Sequence, residues 1–388
     1  GSADAPLFSA VKSISTPDDF TIVFNLSYAD DNFLYALTNP GAMPCDEEFF
    51  NLTNGKYGLD AKYLLCNGPF HVSKWTEKTS VKLAKNNEYN GESSVSPSSV
   101  TFYINNDDSE VADKMNSVTY DVAFILSSQF SSIENKKDLN SVAVQNVTYS
   151  FIFNQNDNNY RNKNMRLAFC RSCDTSTLFD SQSDISKADG IVPPSCKIGG
   201  EDYRNGNAAE LLSYDETLAK KNFNDALLEL GSSSVETTIL CTEQYEPFVK
   251  QMVQKLQKTL GVKFVSTVKV VSESDLEAAV NDGNYSVAFY PFKAKSSFAG
   301  EIIEGFDQNN IFGYESDVLS QKIRNIKNNS GSLEGERSAV ADAENYLVSE
   351  AVIMPVFYEN SYFVTSKKTS GIYFYSSADN VCFINAKK

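Results

Sequence analysis

The alternation of helical and strand patterns between residues 213 and 290 constrains the fold of this chain more than any other sequence feature. Apolar residues from Leu218 to Leu230 recur at helical spacing, and Gly231 follows them where a helix end favours a left-handed residue. Strand and helix patterns then take turns over residues 237–241, 248–260, 262–271, 275–280 and 285–290. Further helices are predicted at 165–173 and 336–349, and further strands at 352–358 and 362–365. This pattern predicts an α/β fold with a largely parallel sheet and crossover helices.

The first 145 residues carry a different pattern, in which strands predominate. Apolar residues recur at every second position from Phe20 to Leu26, which predicts a half-buried strand. Turn chemistry precedes a predicted hairpin over residues 72–83, and a short helix is expected at 108–117. This part of the chain is therefore expected to form mostly strands.

A change of pattern near residue 147 suggests how the chain divides into lobes. Residues 151–154 form a short apolar run, typical of a strand buried on both faces, and a polar break follows it. Because 388 residues exceed one ordinary hydrophobic core, two lobes are expected. We predict a first lobe over residues 1–147, a second α/β lobe over 148–360, and a return of residues 361–388 to the first lobe.

The charge of the chain excludes some classes of partner. A net charge of −16 and a pI near 4.6 argue against binding to nucleic acid, which needs a surface rich in Lys and Arg. A membrane-spanning helix requires about 18 to 20 consecutive apolar residues, and no run in the sequence approaches that length. The start of the sequence has no hydrophobic signal core, so we expect that an export signal or lipid anchor has been removed.

The seven cysteines are widely spaced and do not suggest a dense disulfide framework. Cys170 and Cys173 form a C-x-x-C pair that could serve as a redox pair or as half of a zinc site. However, the sequence has no second such pair, and His71 is its only histidine. We therefore predict no metal site and no cofactor.

Motifs for catalysis are also missing from the sequence. A Ser-His-Asp arrangement would have to use His71, and no G-x-S-x-G elbow holds a serine nucleophile. The glycine-rich loops that bind phosphate are absent. Asp107, Asp108 and Glu110 lack the ligand spacing of a calcium loop, so a solvated acidic loop is the better interpretation. We expect no catalytic residue, and hence no enzyme.

Several segments together resemble a known family of transport proteins. The pattern D-D-F-T-I-V-F-N-L occupies residues 18–26, and A-V-I-M-P-V-F-Y occupies residues 351–358. Further matching segments lie at residues 67–75, 85–89, 164–174, 192–194 and 214–231. In order and spacing they resemble the large extracytoplasmic substrate-binding proteins of ABC importers, of the oligopeptide- and dipeptide-binding family 5. The resemblance implies a two-lobed, periplasmic-binding-protein-like fold of type II.

Two departures from the family pattern affect what the resemblance implies. Relatives carry a further stretch of about 130 residues before the strand at Asp19, so the first lobe is expected to be partial. Peptide binders also carry an acid that pairs with the peptide amino terminus, and Lys295 stands at the aligned position here. Since a cation cannot stabilise an ammonium group, recognition of a free amine at this point is not expected.

The resemblance implies delivery of a peptide or similar solute to the permease subunits of an ABC transporter. It also implies an extracytoplasmic location, with membrane contact only through a lipid anchor that has been removed. The residues expected to contact the solute are Tyr149, Phe151, Asn154, Tyr290, Phe292 and Lys295. The alternative is a cell-surface interaction or sensory module that keeps the fold and has lost transport-grade solute binding.

Overall fold

The computed structural model describes residues 11–27, 33–38, 40–91, 94–104, 108–117, 119–133, 136–175, 178–179, 183–294, 296–307, 310–329, 331–375 and 380–388. The chain forms two compact units, Gly1–Ile104 and Asn105–Lys388. Each unit is built from its own secondary-structure elements.

Unit 1 contains two small antiparallel sheets and two short helices. Its elements are β1 (Val11–Asp18), β2 (Thr21–Leu26), α1 (Phe33–Ala36), α2 (Glu47–Leu52), β3 (Phe70–Thr76), β4 (Ser80–Lys85) and β5 (Ser99–Tyr103). Strand β1 pairs with β2, and β3, β4 and β5 form a three-stranded sheet. A strand over Thr21–Leu26 and the hairpin over residues 72–83 are thus confirmed. The prediction that this strand is half-buried from Phe20 onward is wrong, because Phe20 is 98% exposed and Ile22 is 56% exposed. Of the described residues of this unit, only Phe33, Thr53 and Val95 are buried.

Unit 2 begins with a strand-rich segment followed by a long α/β stretch. Its first elements are α3 (Asp108–Asn116), β6 (Val122–Leu126), α4 (Ser127–Ser132), β7 (Leu139–Val144), β8 (Val147–Phe153), α5 (Asn158–Arg161), α6 (Lys163–Ser172), β9 (Ile185–Lys187), β10 (Lys197–Ile198) and β11 (Glu201–Asp202). Then follow α7 (Glu216–Leu230), β12 (Val235–Cys241), α8 (Glu246–Leu260), β13 (Phe264–Val270), α9 (Glu273–Asn281), β14 (Val287–Lys293), α10 (Ala299–Glu304), α11 (Asp317–Asn328) and α12 (Leu333–Ser349). The last strands are β15 (Ile353–Glu359), β16 (Ser361–Ser366), β17 (Tyr373–Tyr375) and β18 (Asn380–Cys382).

Local chemistry explains why these elements begin and end where they do. In α7, the Asp215 carboxylate accepts the backbone N–H of Leu218, and Gly231 ends the helix at a φ of 62°. Before β15, Ala351 also has a positive φ, 49°. The buried Arg166 guanidinium fixes this turn by donating to the carbonyl oxygens of Glu350 and Ala351, each at 3.0 Å.

The main sheet of unit 2 has six strands in the order β13-β12-β14-β8-β15-β9. Strand β12 pairs in parallel with β13 and β14, whereas β8 is antiparallel to both β14 and β15, and β9 is antiparallel to β15. The expectation of a largely parallel sheet is therefore wrong, and the sheet is mixed. No single crossover helix joins β8 to its neighbours β14 and β15, so the connection rule that makes consecutive strands parallel does not apply to it.

Helices cover both faces of the six-stranded sheet. On one face, α6, α7 and α8 pack on Phe151, Phe153 and Phe289. On the other face, α9, α10, α11 and α12 pack on Ile152 and Ala288. Because alternate side chains of β8 enter different cores, the strand is buried on both faces, as its apolar run predicts.

A second sheet in unit 2 has three strands in the order β6-β16-β7. Helices α3 and α4 cover one of its faces through a small core that includes Met115, Ile125 and Val364. Strand β16 begins at Ser361, so the chain after residue 360 pairs with strands that precede residue 147. The lobe boundaries at residues 147 and 360 stay a prediction.

Candidate functional site

The order of the strands directs attention to one edge of the six-stranded sheet. After β12 the chain forms α8 on one face, and after β13 it forms α9 on the opposite face. The adjacent parallel strands β12 and β14 therefore flank a topological switch point at their carboxyl ends. Ligands of open α/β sheets bind in the crevice outside such a point.

Aromatic side chains cluster at this edge on the α8 face. Tyr149 near the start of β8 packs against Tyr245, which precedes α8, with 4.4 Å between the ring centroids. The Tyr149 ring also lies 5.0 Å from Phe357 and 5.5 Å from Phe289. Such rings offer a wall of low polarity with hydroxyl groups for orientation, the composition expected of a small-ligand site.

A carboxylate completes this cluster, which we name the edge cluster and define as Tyr149, Tyr245, Phe357 and Glu359. The Tyr245 hydroxyl donates to Oε2 of Glu359 at 2.8 Å and accepts from the Gln244 amide at 3.2 Å. Burial raises the pKa of both phenols, and the charge of Glu359 adds to the rise. Both tyrosines therefore stay protonated, and Tyr245 donates its hydrogen bond to the Glu359 carboxylate.

The opposite face of the sheet carries a separate aromatic group. Tyr290 packs on Phe292 at 5.6 Å between centroids, and Phe292 in turn packs on Phe306 and Phe312, each at 5.8 Å. In the antiparallel register Tyr290 is opposite Ser150, whereas Tyr149 is opposite Pro291. Since cross-strand partners share a face, Tyr290 and Tyr149 lie on different faces of the sheet.

Two further residues of the predicted set lie inside the fold. Phe151 has no exposed surface and packs against Phe169 and Phe289. Asn154 is also buried, and its amide donates to the carbonyl oxygens of Gly283 at 2.9 Å and Tyr285 at 2.7 Å. These contacts give both side chains a structural role in this conformation. Lys295 lies outside the described residues.

The predicted residues thus do not form one group, and their contact with a solute stays a prediction. The sequence interpretation also missed Tyr245, Phe357 and Glu359. Tyr245 lies between a predicted strand and a predicted helix, so the carboxyl-edge rule alone could have identified it. Glu359 has no such signal, because its position depends on which strands meet at the edge.

Chemistry other than binding has little support among the described residues. No group of three or more His, Cys, Asp and Glu side chains in the described ranges could hold a metal ion. Cys170 and Cys173 are buried free thiols, and burial raises the pKa of Cys170 to about 12. His71 lies on the exposed strand β3, opposite Ala84. No helix within the described residues is long and apolar enough to cross a bilayer.

Unit 2 has two surface cavities whose linings do not include the edge cluster. One of about 340 Å³ is lined by residues that include Cys170, Leu212 and Met354. The other, of about 450 Å³, is lined by residues that include Val142 and Phe374. Neither is lined by Tyr149, Tyr245 or Glu359. We therefore place the candidate site by topology and chemistry rather than by cavity size.

A mixed sheet with helices on both faces, and with rings and a carboxylate at its switch point, defines the class of α/β ligand-binding proteins. The sequence matches the bacterial extracellular solute-binding proteins, family 5 Middle, over residues 1–312. The chain belongs to this family, which confirms the resemblance stated above. A curated relative, the dipeptide-binding protein DppE of Bacillus subtilis (strain 168), is 23% identical over 367 residues, covering 92% of this chain and 67% of DppE.

Solved structures give the same fold. Listeria monocytogenes OppA bound to peptide superimposes with a TM-score of 0.78 at 20% identity, covering 98% of this chain and 79% of OppA. The substrate-binding domain of an oligopeptide ABC transporter from Bacillus anthracis str. Ames gives 0.79 at 18% identity, covering 96% and 74%. The predicted periplasmic-binding-protein-like α/β fold is therefore confirmed.

Proposed function

We propose that this protein is the extracytoplasmic substrate-binding component of an ABC importer and that it binds a peptide or a similar solute. The observation that carries the proposal is the edge cluster, which lies at the switch point of a chain that belongs to a solute-binding family. The relatives are named as dipeptide- and oligopeptide-binding proteins, which favours transport over the alternative of an interaction module.

The chemistry of the edge cluster suits binding without conversion of the ligand. The partly exposed ring of Tyr149 provides apolar contact, and the buried Phe357 ring supports it from the core. The Glu359 carboxylate provides a hydrogen-bond acceptor that Tyr245 helps to orient. Because burial raises the pKa of both phenols, they stay protonated at neutral pH and offer no phenolate as a base or nucleophile. We therefore infer a binding role, with neither a cofactor nor a catalytic step.

Calorimetric titration with a set of di- to nonapeptides tests this function. Tyr245→Phe removes one hydrogen bond that orients the Glu359 carboxylate, and we expect affinity to fall about fivefold to tenfold, the effect of one lost hydrogen bond. Glu359→Gln should produce a similar loss. Tyr214→Phe is the matched control, because the Tyr214 hydroxyl donates to Glu216 at 3.5 Å on an exposed surface.

Failure of every peptide to bind the wild-type protein would overturn the proposed function. An equal loss of affinity in the control Tyr214→Phe would instead refute the assignment of the edge cluster. The permease subunits and the lipid anchor are tested by co-purification from membranes and by incorporation of labelled palmitate into the full-length protein.

A further inference from the structure

The two sheets of unit 2 are joined by two very short connections. Gln145 and Asn146 link β7 to β8, and Asn360 alone links β15 to β16. Ser361 pairs with Val144 in the three-stranded sheet, and Tyr358 pairs with Thr148 in the six-stranded sheet. The two connections therefore run side by side between the sheets.

No buried core among the described residues spans both sheets. Among the described residues, the buried core of the three-stranded sheet draws on residues 112–139 and Val364. The two buried cores of the six-stranded sheet draw on residues 151–357. The contacts at the connections therefore contribute directly to the angle between the sheets.

Those contacts are polar and share one oxygen atom. The Gln145 amide donates to Oδ1 of Asn360 at 2.8 Å and to the Ser186 hydroxyl at 2.9 Å. The Ser186 hydroxyl also donates to Oδ1 of Asn360, at 3.0 Å. Because Ser186 belongs to β9, these three side chains tie both connections to the edge of the six-stranded sheet.

A second contact joins the halves without a covalent connection. The Asp184 carboxylate, just before β9, accepts the backbone N–H of Ser128 in α4, the helix that covers the three-stranded sheet. The Asp184 carbonyl accepts the Asn360 N–H at 2.7 Å, and the Asn360 carbonyl accepts the Ser127 N–H at 3.1 Å. Hydrogen bonds of this kind depend strongly on direction, so rotation of one sheet against the other must break them.

We propose that Gln145, Asp184, Ser186 and Asn360, here named the crossing cluster, are positioning residues that set the angle between the two sheets. Their hydrogen bonds stabilise one orientation, and by doing so they set how easily the protein adopts the orientation that its ligand selects. The consequence for ligand affinity rests on the proposed function. The consequence for the angle does not.

The test measures the distance between the sheets in the full chain. Spin labels at Asp113 in α3 and Gln254 in α8, both exposed, are attached through unnatural amino acids so that the native cysteines remain. Gln145→Glu replaces the shared donor with an acceptor of the same shape, and Asp184→Ala removes the contact with Ser128. We expect each to change the ratio of distance populations about twofold to tenfold, as the loss of one hydrogen bond predicts.

Two controls separate positioning from general destabilisation. Gln257→Ala removes a single hydrogen bond, which the Gln257 side-chain amide donates to the Ser266 carbonyl at 3.3 Å within the six-stranded half. This change should leave the distances between the spin labels unchanged. Asp184→Asn keeps an acceptor oxygen for Ser128 and should restore the wild-type distribution. Unchanged distances in both Gln145→Glu and Asp184→Ala, or an equal change in Gln257→Ala, would overturn the proposal.

Peptide titration of the same variants distinguishes this proposal from the proposed function. Altered distances without peptide binding in any variant would support the crossing cluster and contradict the peptide-binding function. Peptide binding with wild-type distances in every variant would support the peptide-binding function and overturn the role of the crossing cluster.

Discussion

Replacing Glu344 tests how much of the stability of unit 2 depends on one buried carboxylate. Glu344 lies in α12 and is 1% exposed. Its Oε1 atom accepts the backbone N–H groups of Ile191 at 2.7 Å and Val192 at 2.9 Å, and also bonds to Arg204. Its Oε2 atom accepts the Tyr203 hydroxyl at 3.0 Å and the Arg204 guanidinium at 2.9 Å.

These contacts let the effect of Glu344→Gln be estimated. The glutamine oxygen can still accept from the backbone, but its NH₂ group then faces the Arg204 guanidinium, which has no acceptor to offer. Arg204 would remain as a buried charge without its partner, and removing one partner of a buried pair costs about 3–5 kcal/mol. We expect a loss of that size in the free energy of unfolding of unit 2.

Urea unfolding followed by circular dichroism measures the loss, and hydrogen exchange at the amides of Ile191 and Val192 localises it. In the double variant Glu344→Gln with Arg204→Met, the unpaired charge is removed, so part of the stability should return. The control is Glu216→Gln in the exposed pair with Lys220, which should leave the free energy of unfolding almost unchanged because solvent screens the pair. A loss below about 1 kcal/mol for Glu344→Gln, with unchanged exchange at both amides, would refute the reasoning.

Three further outcomes are expected. Ala351→Gly should leave the melting temperature nearly unchanged, because relief of the positive φ of 49° offsets the loss of a fully buried methyl group; a clear fall in melting temperature would contradict this. At pH 8, iodoacetamide should modify the exposed Cys45 and spare Cys170, because a thiol whose pKa is raised to about 12 stays protonated; mass spectrometry detects the order of labelling, and early modification of Cys170 in the folded protein would contradict it. Matched free-amine and N-acetylated peptides should show that the segment containing Lys295 favours the neutral form; tighter calorimetric binding of the free amine, weakened in Lys295→Asp, would refute the charge argument.

Local patterns in the sequence predicted most elements but not their neighbours in space. The spacing of apolar residues and Gly231 were enough to place α7, and the apolar run at residues 151–154 was enough to predict a strand buried on both faces. Nothing in that run shows that β8 lies antiparallel between β14 and β15, because its partners are far away in the chain. Pairing of distant strands is decided by tertiary packing, which local periodicity does not encode.

The candidate site shows the same limit. The aromatic residues Tyr149 and Tyr290 were chosen from the sequence, but their faces follow from the register of two strands. Phe151 lies on the same face of β8 as Tyr149 but two residues further from the edge of the sheet, and there it is fully buried. Tyr245 and Glu359 meet only because the end of β12 and the end of β15 lie at the same edge.

The central position of β8 has a consequence for the synthesis of the protein. Its two partners, β14 and β15, follow it in the chain, and β15 ends roughly 200 residues after β8. A ribosome must therefore release almost all of unit 2 before both edges of this apolar strand are covered. During that interval β8 is a ready template for pairing with other chains, so a factor that shields nascent chains would act on this segment first. A chain that stopped between β14 and β15 would keep one edge of β8 open permanently, and aggregation rather than partial folding is its expected fate.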